Sequence, residues 1–306
     1  MAVGRFAPSP TGDLHLGNLR TALAAWLFAR SVGSDFLVRM EDLDRVQASA
    51  DHEASQLADL TALGLDWDGE VVRQSDRFDR YEAAIADLDG AGLTYACFCT
   101  RREIQEASAA PHPVAGHDPI PYPGTCRELS AAEVAERTRA GRPPALRLRA
   151  DGRTVTVDDG LLGPITAVVD DVVLRRNDGV PAYNLAVVVD DAAQGVEEVV
   201  RADDLASSAP RQRHLAELLG LPPVRYAHVG LVVGPDGRRL AKRDGAVTLA
   251  EQRAQGASPR WVLDRLAASL GAGLSGERAT AAELAVHFDP ATLRPGPIAL
   301  DDLLAP

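Results

Sequence analysis

The chain has 306 residues, 46% of them apolar, so it can bury a sizeable core without staples, and its length predicts roughly two domains or one large α/β body with insertions. A formal net charge of −12 argues against indiscriminate binding of nucleic acid, although a local basic face can still work on an acidic body. No apolar signal core follows Met1-Ala2-Val3-Gly4-Arg5, and no stretch approaches the ~18 apolar residues of a membrane span, so a soluble cytoplasmic protein without membrane contact is expected.

Val3 to Ala7 reads as a short buried strand, broken by Pro8-Ser9-Pro10-Thr11-Gly12. Leu19, Leu23, Trp26 and Leu27 then recur at i, i+4, i+7 and i+8, one face of a helix that Gly33 stops. Phe36 to Met40 is a second strand ending in Glu41-Asp42, and helical patterns follow from about Asp51 to Leu63 and from Phe78 to Leu88. The order strand-helix-strand-helix predicts a parallel sheet. Cys97 to Cys126 encloses a Pro/Gly/His-rich loop, Ala110 to Gly124, and Pro144 to Val157 alternates apolar and polar residues as antiparallel strands do. Asn177-Asp178-Gly179, between Val172-Val173-Leu174 and Tyr183-Asn184-Leu185, predicts a hairpin turn. Val187 to Val189, Val196 to Val200 and Val229 to Val233 are further apolar runs, and the C-terminal stretch reads as helical at Pro259 to Leu270 and Ala281 to His287. The segment from roughly 97 to 165 interrupts an α/β body whose pattern resumes after it.

Two segments suit phosphate chemistry. Arg5-Phe6-Ala7-Pro8-Ser9-Pro10-Thr11-Gly12-Asp13-Leu14-His15-Leu16-Gly17-Asn18 joins a strand to a helix. Pro8 and Pro10 stiffen the turn, Gly12 and Gly17 let backbone approach a ligand, the helix N-terminus suits a phosphate, and His15 can donate to a phosphate oxygen. The second segment is a Gly-rich loop, Val232-Val233-Gly234-Pro235-Asp236-Gly237, followed by Arg239-Leu240-Ala241-Lys242-Arg243. Lys242 is the only lysine among 32 Lys+Arg residues, and its compact ammonium can swing onto a triphosphate in a way a planar guanidinium cannot.

The three cysteines, Cys97, Cys99 and Cys126, share one short window, which suits a metal site better than a disulfide framework. Three thiolates and one further ligand would close a tetrahedral structural zinc site; His112 and His117 are ordinary candidates for the fourth position, and three unrelated buried thiols are the alternative. Arginines gather at Arg137, Arg139, Arg142, Arg147, Arg149 and Arg153, and again at Arg211 and Arg213, as either a nucleic-acid face or a solvated surface.

Together, the first-strand motif and the distant Lys loop resemble the two signatures of class I aminoacyl-tRNA synthetases, and Arg-Phe-Ala-Pro-Ser-Pro-Thr-Gly-x-Leu-His-Leu-Gly is similar to the wording of their glutamyl branch. The resemblance covers about Arg5 to Leu249. Val38-Arg39-Met40-Glu41-Asp42-Leu43-Asp44 resembles that branch's second strand, Pro181-Ala182-Tyr183-Asn184-Leu185-Ala186-Val187-Val188-Val189-Asp190-Asp191 its substrate strand, and Val199-Val200-Arg201-Ala202-Asp203-Asp204-Leu205 the segment holding its substrate arginine. Four positions depart from the pattern: Asn18 stands for a second His, Arg239 and Ala241 for a Lys and a Ser of the Lys loop, and Ala202 for a Gly.

The resemblance implies a Rossmann-like α/β catalytic domain with a parallel sheet, its halves at 1–96 and 166–250. An inserted acceptor-type subdomain bearing the zinc site would occupy 97–165, and a short helical segment 251–306, with no anticodon-binding domain. It implies glutamate held by Arg5, Phe6, Ala7, Pro8, Ser9, Glu41, Tyr183 and Arg201, and ATP with Mg²⁺ held by His15, Gly17, Asn18 and Lys242, of which His15 and Lys242 are catalytic. Arg5 and Arg201 would face the substrate carboxylates, Glu41 the ammonium, and the Tyr183 hydroxyl would help to hold the side chain. A guanidinium at Arg201 pairs with a γ-carboxylate bidentately, whereas an amide could not neutralise it. For one structural zinc, the resemblance points to Tyr122 beside Cys97, Cys99 and Cys126.

Only a short helical segment separates the Lys loop from Pro306, where a glutamyl-tRNA synthetase carries a large anticodon-reading domain. With the Cys-x-Cys…Tyr-x-x-x-Cys pattern, this is similar to the members of the branch that attach glutamate to the cyclopentenediol of queuosine in the tRNA(Asp) anticodon. The implied partners are L-glutamate, ATP and the queuosine-modified tRNA(Asp) anticodon stem-loop, bound by a monomer. A truncated synthetase charging a tRNA 3′ end and a catalytically weakened tRNA-binding paralogue are the alternatives.

Overall fold

The computed structural model describes residues 2–100, 102–104, 122–234, 237–238, 240, 247–274, 279–293 and 296–305. Arg239, Ala241, Lys242, Arg243, His112 and His117 lie outside the described residues.

Strand β1 (Gly4–Phe6), helix α1 (Leu16–Arg30), β2 (Phe36–Met40), α2 (Ala50–Ala62), β3 (Val72–Arg73) and α3 (Phe78–Gly90) open the chain. Then come β4 (Thr94–Cys97), α4 (Ala131–Arg139), β5 (Ala145–Leu148), β6 (Thr154–Asp159), β7 (Gly163–Val168) and β8 (Val173–Arg175). Helix α5 (Tyr183–Ala193), β9 (Glu198–Ala202), α6 (Ala209–Leu218), β10 (Arg225–Val229) and β11 (Val232–Val233) complete the body. The C-terminal segment holds α7 (Leu249–Ala254), α8 (Pro259–Leu270), α9 (Ala281–His287), β12 (Ile298–Ala299) and α10 (Leu300–Leu304).

The main sheet runs β3-β2-β1-β9-β10-β6-β7. Its pairings are parallel except for the β6–β7 hairpin at one edge. Alternation along the strands gives each face its own core. Phe6, Val38, Val200 and Ala227 pack with α1, α8 and α9 on one side, while Val199 and Tyr226 pack with α3, α5 and α6 on the other. Helices on both faces of a mostly parallel sheet make this a Rossmann-like α/β fold.

Two expectations are corrected. Pro181 to Asp191 is not a substrate strand: from Tyr183 onward it is helix α5, and the predicted hairpin ends at a single bridge between Arg175 and Pro181. Leu185, Ala186, Val187, Val188, Asp190 and Asp191 are all buried, so the helix shows no polar stripe and its continuous apolar run reads as a strand. The interruption also differs from 97–165. Strands β4, β5 and β8 form a separate three-stranded antiparallel sheet that reaches Arg175. Strand β6 instead joins the main sheet through β10, because Val155 and Val157 point inward to the core shared with α5 and α6. Among the described residues, no helix is long and apolar enough to cross a membrane.

Candidate active site at the carboxyl ends of β1, β2 and β9

From β1 the chain moves to β2 on one side, and from β9 to β10 on the other, so the strand order reverses between β1 and β9. A crevice opens at such a reversal, at the carboxyl ends of the strands, and ligands of open α/β sheets bind there. Arg5 on β1, Arg39 on β2 and Arg201 on β9 all leave the sheet on the face that α5 covers, and all three are buried.

Helix α5 supplies the counter-charges. Asp191 Oδ1 accepts from Arg39 Nη1 at 2.8 Å and from Arg5 Nε at 3.3 Å. Asp190, wholly buried, accepts from Tyr81 Oη at 2.7 Å, Arg77 Nε at 2.6 Å and Gln74 Nε2 at 3.0 Å. Arg39 Nη2 reaches Glu41 Oε1 at 3.4 Å. Burial alone would raise the Asp191 carboxyl, but Arg39 and Arg5 hold it below the usual carboxylate range. Glu41 goes the other way: burial raises it, and Arg39 and Arg5 offset only part of that. Its carboxylate thus carries charge that Arg39 and Arg5 do not fully offset.

Arg201 is held on several sides. Its Nε donates to His228 Nε2 at 3.0 Å, Nη1 to Gln212 Oε1 at 2.8 Å and Tyr183 Oη at 3.4 Å, and Nη2 to the Leu205 carbonyl at 3.2 Å. The guanidinium carbon lies 5.1 Å from the centre of the Tyr226 ring. Burial pushes the Tyr183 hydroxyl up, while the charges of Arg201, Glu41 and Arg5 all act on it. Phe6 turns its side chain into the opposite core, Pro8 is buried, Ala7 is half-buried and Ser9 exposed, so Phe6 can meet a ligand only through its backbone.

The motif loop is pinned from outside. Gln56 Nε2 donates to the carbonyls of Ser9 at 3.0 Å and Gly12 at 2.7 Å, Glu41 N to Pro8 O at 2.8 Å, and Ser49 N to Pro10 O at 3.0 Å. His15 is the N-cap of α1. Its Nδ1 accepts from Asn18 N at 3.2 Å and its own N donates to Asn18 Oδ1 at 3.2 Å, a reciprocal cap. With Nδ1 accepting, the proton of the neutral ring sits on Nε2, the form that donates to a phosphate oxygen. The room at Gly17 takes the His15 ring: a Cβ there would lie 2.9 Å from ring atoms Cε1 and Nδ1. Both flanks of the Lys loop come to this place. Leu16 N donates to Val247 O at 3.0 Å and His15 bridges Thr248, while Val232 Cβ lies 3.4 Å from the same Gly17 position.

The three thiols also meet. The Sγ atoms of Cys97, Cys99 and Cys126 lie within 4.8 Å of one another, with Cys99 and Cys126 at 3.6 Å. Tyr122 Oη is 3.3 Å from Cys97 Sγ and 3.6 Å from Cys99 Sγ. Four ligands at ordinary zinc distances lie about 3.5–3.8 Å apart, so this donor set fits a metal ion. Arg147 stacks on the Tyr122 ring at 3.8 Å and is buried, so it leaves the surface patch. Arg142, Arg153, Arg211 and Arg213 are paired with Glu103, Glu217, Asp170 and Glu217, respectively.

Asp159, Gln212 and His228 have no role legible in the sequence. Arg39 was within reach, since it stands two residues after Leu37 along β2 and two residues before Glu41. Asp190 and Asp191 lie inside a segment that the resemblance covers, yet it gives them no role. Asp159 and His228 meet across 69 positions and carry no local signal.

A family model of the class I tRNA synthetase (E and Q) catalytic domain matches residues 1–289, and the chain belongs to that family. A glutamate tRNA ligase from Elizabethkingia meningosepticum, solved in complex with its amino acid, has the same fold with a TM-score of 0.81 at 26% identity, covering 99% of this chain and 68% of that one. Within the family this chain is one of the glutamyl-Q tRNA(Asp) synthetases, and so a ligase. It is 62% identical to the protein of that name from Nocardia farcinica over 98% of this chain and 93% of the relative. It is 44% identical to the one from Symbiobacterium thermophilum over 97% and 95%.

Proposed function

We propose that this enzyme activates L-glutamate with ATP and transfers it to the cyclopentenediol of queuosine in the anticodon of tRNA(Asp). The near full-length match to the Nocardia glutamyl-Q tRNA(Asp) synthetase carries the reading, and the cluster at Arg5, Glu41, Tyr183 and Arg201 supports it.

Arg201 pairs with the substrate γ-carboxylate and Arg5 with the α-carboxylate, while Glu41 takes the ammonium and Tyr183 Oη steadies the side chain. An oxygen of the α-carboxylate attacks the α-phosphorus of ATP, forming the mixed anhydride and releasing pyrophosphate. Negative charge grows on the phosphates, so the His15 Nε2–H, the N-terminus of α1 and the Lys242 ammonium stabilise the transition state electrostatically. Bound with ATP, Mg²⁺ would supply further neutralisation of phosphate charge. Asn18 holds His15 in the donating tautomer, and Gly17 gives its ring room. A queuosine hydroxyl then attacks the acyl carbon, the ester forms and AMP leaves.

Cys97, Cys99, Cys126 and Tyr122 hold one structural zinc, which ties β4 to the turn at Tyr122–Cys126. The small sheet and the helix α4 beside it present the exposed arginines Arg137 and Arg139 to the anticodon stem-loop. Reactions that draw on ATP and tRNA place the enzyme in the cytoplasm.

Glutamate-dependent ATP–pyrophosphate exchange tests the first step. Wild type is expected to exchange, and Lys242→Arg to keep the charge yet lose at least about tenfold in rate, because a planar fork replaces a compact ammonium. Labelled glutamate tests the second: product is expected on queuosine-containing tRNA(Asp), periodate should abolish it, and unmodified tRNA should give none. Charging of tRNA(Glu) would overturn the assignment of acceptor.

A further inference from the structure

We propose that Asp159 and His228 are positioning residues that aim Arg201 at the substrate side chain and so help the enzyme to prefer glutamate over glutamine. This rests on the reading above, in which Arg201 meets the γ-carboxylate.

The geometry is a relay of three side chains. His228 on β10 is the register partner of Arg201 on β9, so both side chains leave the same face of the sheet next to each other. Arg201 Nε donates to His228 Nε2 at 3.0 Å, and His228 Nδ1 meets Asp159 Oδ2 at 2.5 Å. All three are buried, with the side chains of Asp159 and His228 wholly so. Arginine has no acceptor atom, so His228 Nε2 must carry the lone pair and Nδ1 the proton. The carboxylate of Asp159 enforces that tautomer by accepting the Nδ1 proton. Burial holds His228 below its usual range, which keeps the ring neutral and its lone pair available. Asp159 is fixed in turn by the backbone N–H groups of Leu161 and Leu162, both at 2.9 Å, and of His228 at 3.2 Å.

The consequence for Arg201 is directional. With Nε tied to His228, Nη1 to Gln212 and Tyr183, and one Nη2 hydrogen to Leu205, the other Nη2 hydrogen has no acceptor among the described residues. A guanidinium locked in this way cannot rotate to follow a neutral amide. The β6–β7 hairpin, which ends β6 on Asp159, thus reaches the amino-acid site from the far edge of the sheet.

The test is built on tautomer chemistry. In Asp159→Asn the new amide group donates to Nδ1, the ring proton moves to Nε2, and two donors face each other at Arg201. The KM for glutamate in pyrophosphate exchange should rise about ten- to a hundredfold, the typical effect of losing a hydrogen bond to a charged group. The KM for ATP should stay within about threefold, and the preference for glutamate over glutamine should fall. Nitrogen-15 spectra of labelled histidine should show the proton move from Nδ1 to Nε2. His228→Gln supplies an acceptor that needs no tautomer, since its Oε1 atom falls where Nε2 was. Combined with Asp159→Asn, it should restore most of the glutamate KM.

If Asp159→Asn does not fold, His228→Asn against His228→Gln gives the same contrast, because the Asn side chain ends short of the Nε2 position. A melting temperature that drops while the glutamate KM and selectivity stay at wild-type values would overturn the positioning role. The underlying reading is tested separately with Arg201→Gln. If that leaves the glutamate KM unchanged, Arg201 does not meet the substrate; if it raises KM while Asp159→Asn does not, only the relay is wrong.

Discussion

His15 uses its two ring nitrogens for different tasks, and Gly17 makes the division possible. Nδ1 caps α1 through Asn18, which leaves the proton on Nε2. A methyl group at position 17 would press on the ring at 2.9 Å, tilt it and break the cap. Gly17→Ala is therefore expected to slow pyrophosphate exchange by about tenfold or more while costing only about 1 kcal/mol of stability, the usual worth of a helix cap. Rate and urea denaturation measured on the same preparation would separate the two effects. At this scale much of the site was legible. Arg5, His15, Glu41 and Arg201 sit in contiguous wording that a linear reading can recognise. Asp191, which holds both Arg5 and Arg39, was not, because its importance lies in contacts made between helix α5 and the sheet.

Helix α2 shows how an element serves the site without touching a substrate. Gln56 anchors the motif loop through two carbonyls, and Asp59, one turn along the helix, lies near Asp13 of that loop. Burial, and then the charge of Asp13, raise the Asp59 carboxyl to about 6, against an opposing pull from Arg253. Because the folded-state value lies above the unfolded one, the ionised group opposes folding. The penalty is absent below about pH 3, grows as pH rises toward 6 and is complete above it. Asp59→Asn should then stabilise the protein by up to roughly 1 kcal/mol at pH 7.5, after allowance for solvent screening, and by almost nothing near pH 3. Urea titrations at the two pH values check the sign. Elements with one polar face, such as α2, α8 and α9, were readable from periodicity alone. Helix α5 was not, since burial on nearly every side removed the polar stripe that distinguishes a helix from a strand.

Across the whole molecule, the C-terminal segment closes on the catalytic body at β11, the strand that precedes the Lys loop in the chain. Strand β12 pairs with β11 immediately before position 235, and Gly230 faces Gly296 so closely that a Cβ would lie 1.8 Å from the Gly296 carbonyl oxygen. Arg20 Nη1 donates to the Gly230 carbonyl at 2.5 Å, tying α1 to the same junction. Gly230→Ala should cost about 2–3 kcal/mol through overpacking, because backbone rather than a flexible side chain must move. It should also raise the KM for ATP, since β11 leads into the Lys loop. A calorimetric melt with exchange kinetics measures both, and a melt unchanged from wild type would show that the segment does not dock as described.

The sequence by itself determined the local and contiguous features: the strand-helix start, the amphipathic helices, the nucleotide and Lys-loop wording, and the gathering of three thiols in one window. These depend on residues a few positions apart, whose periodicity and turn chemistry act along the chain. Tertiary structure alone decided which charges meet. Asp191 reaches Arg5 over 186 positions, and Asp159 reaches His228 over 69. The first follows from the packing of helix α5 on the sheet and the second from strand order, and a buried charge finds its partner only once the fold has brought distant elements side by side.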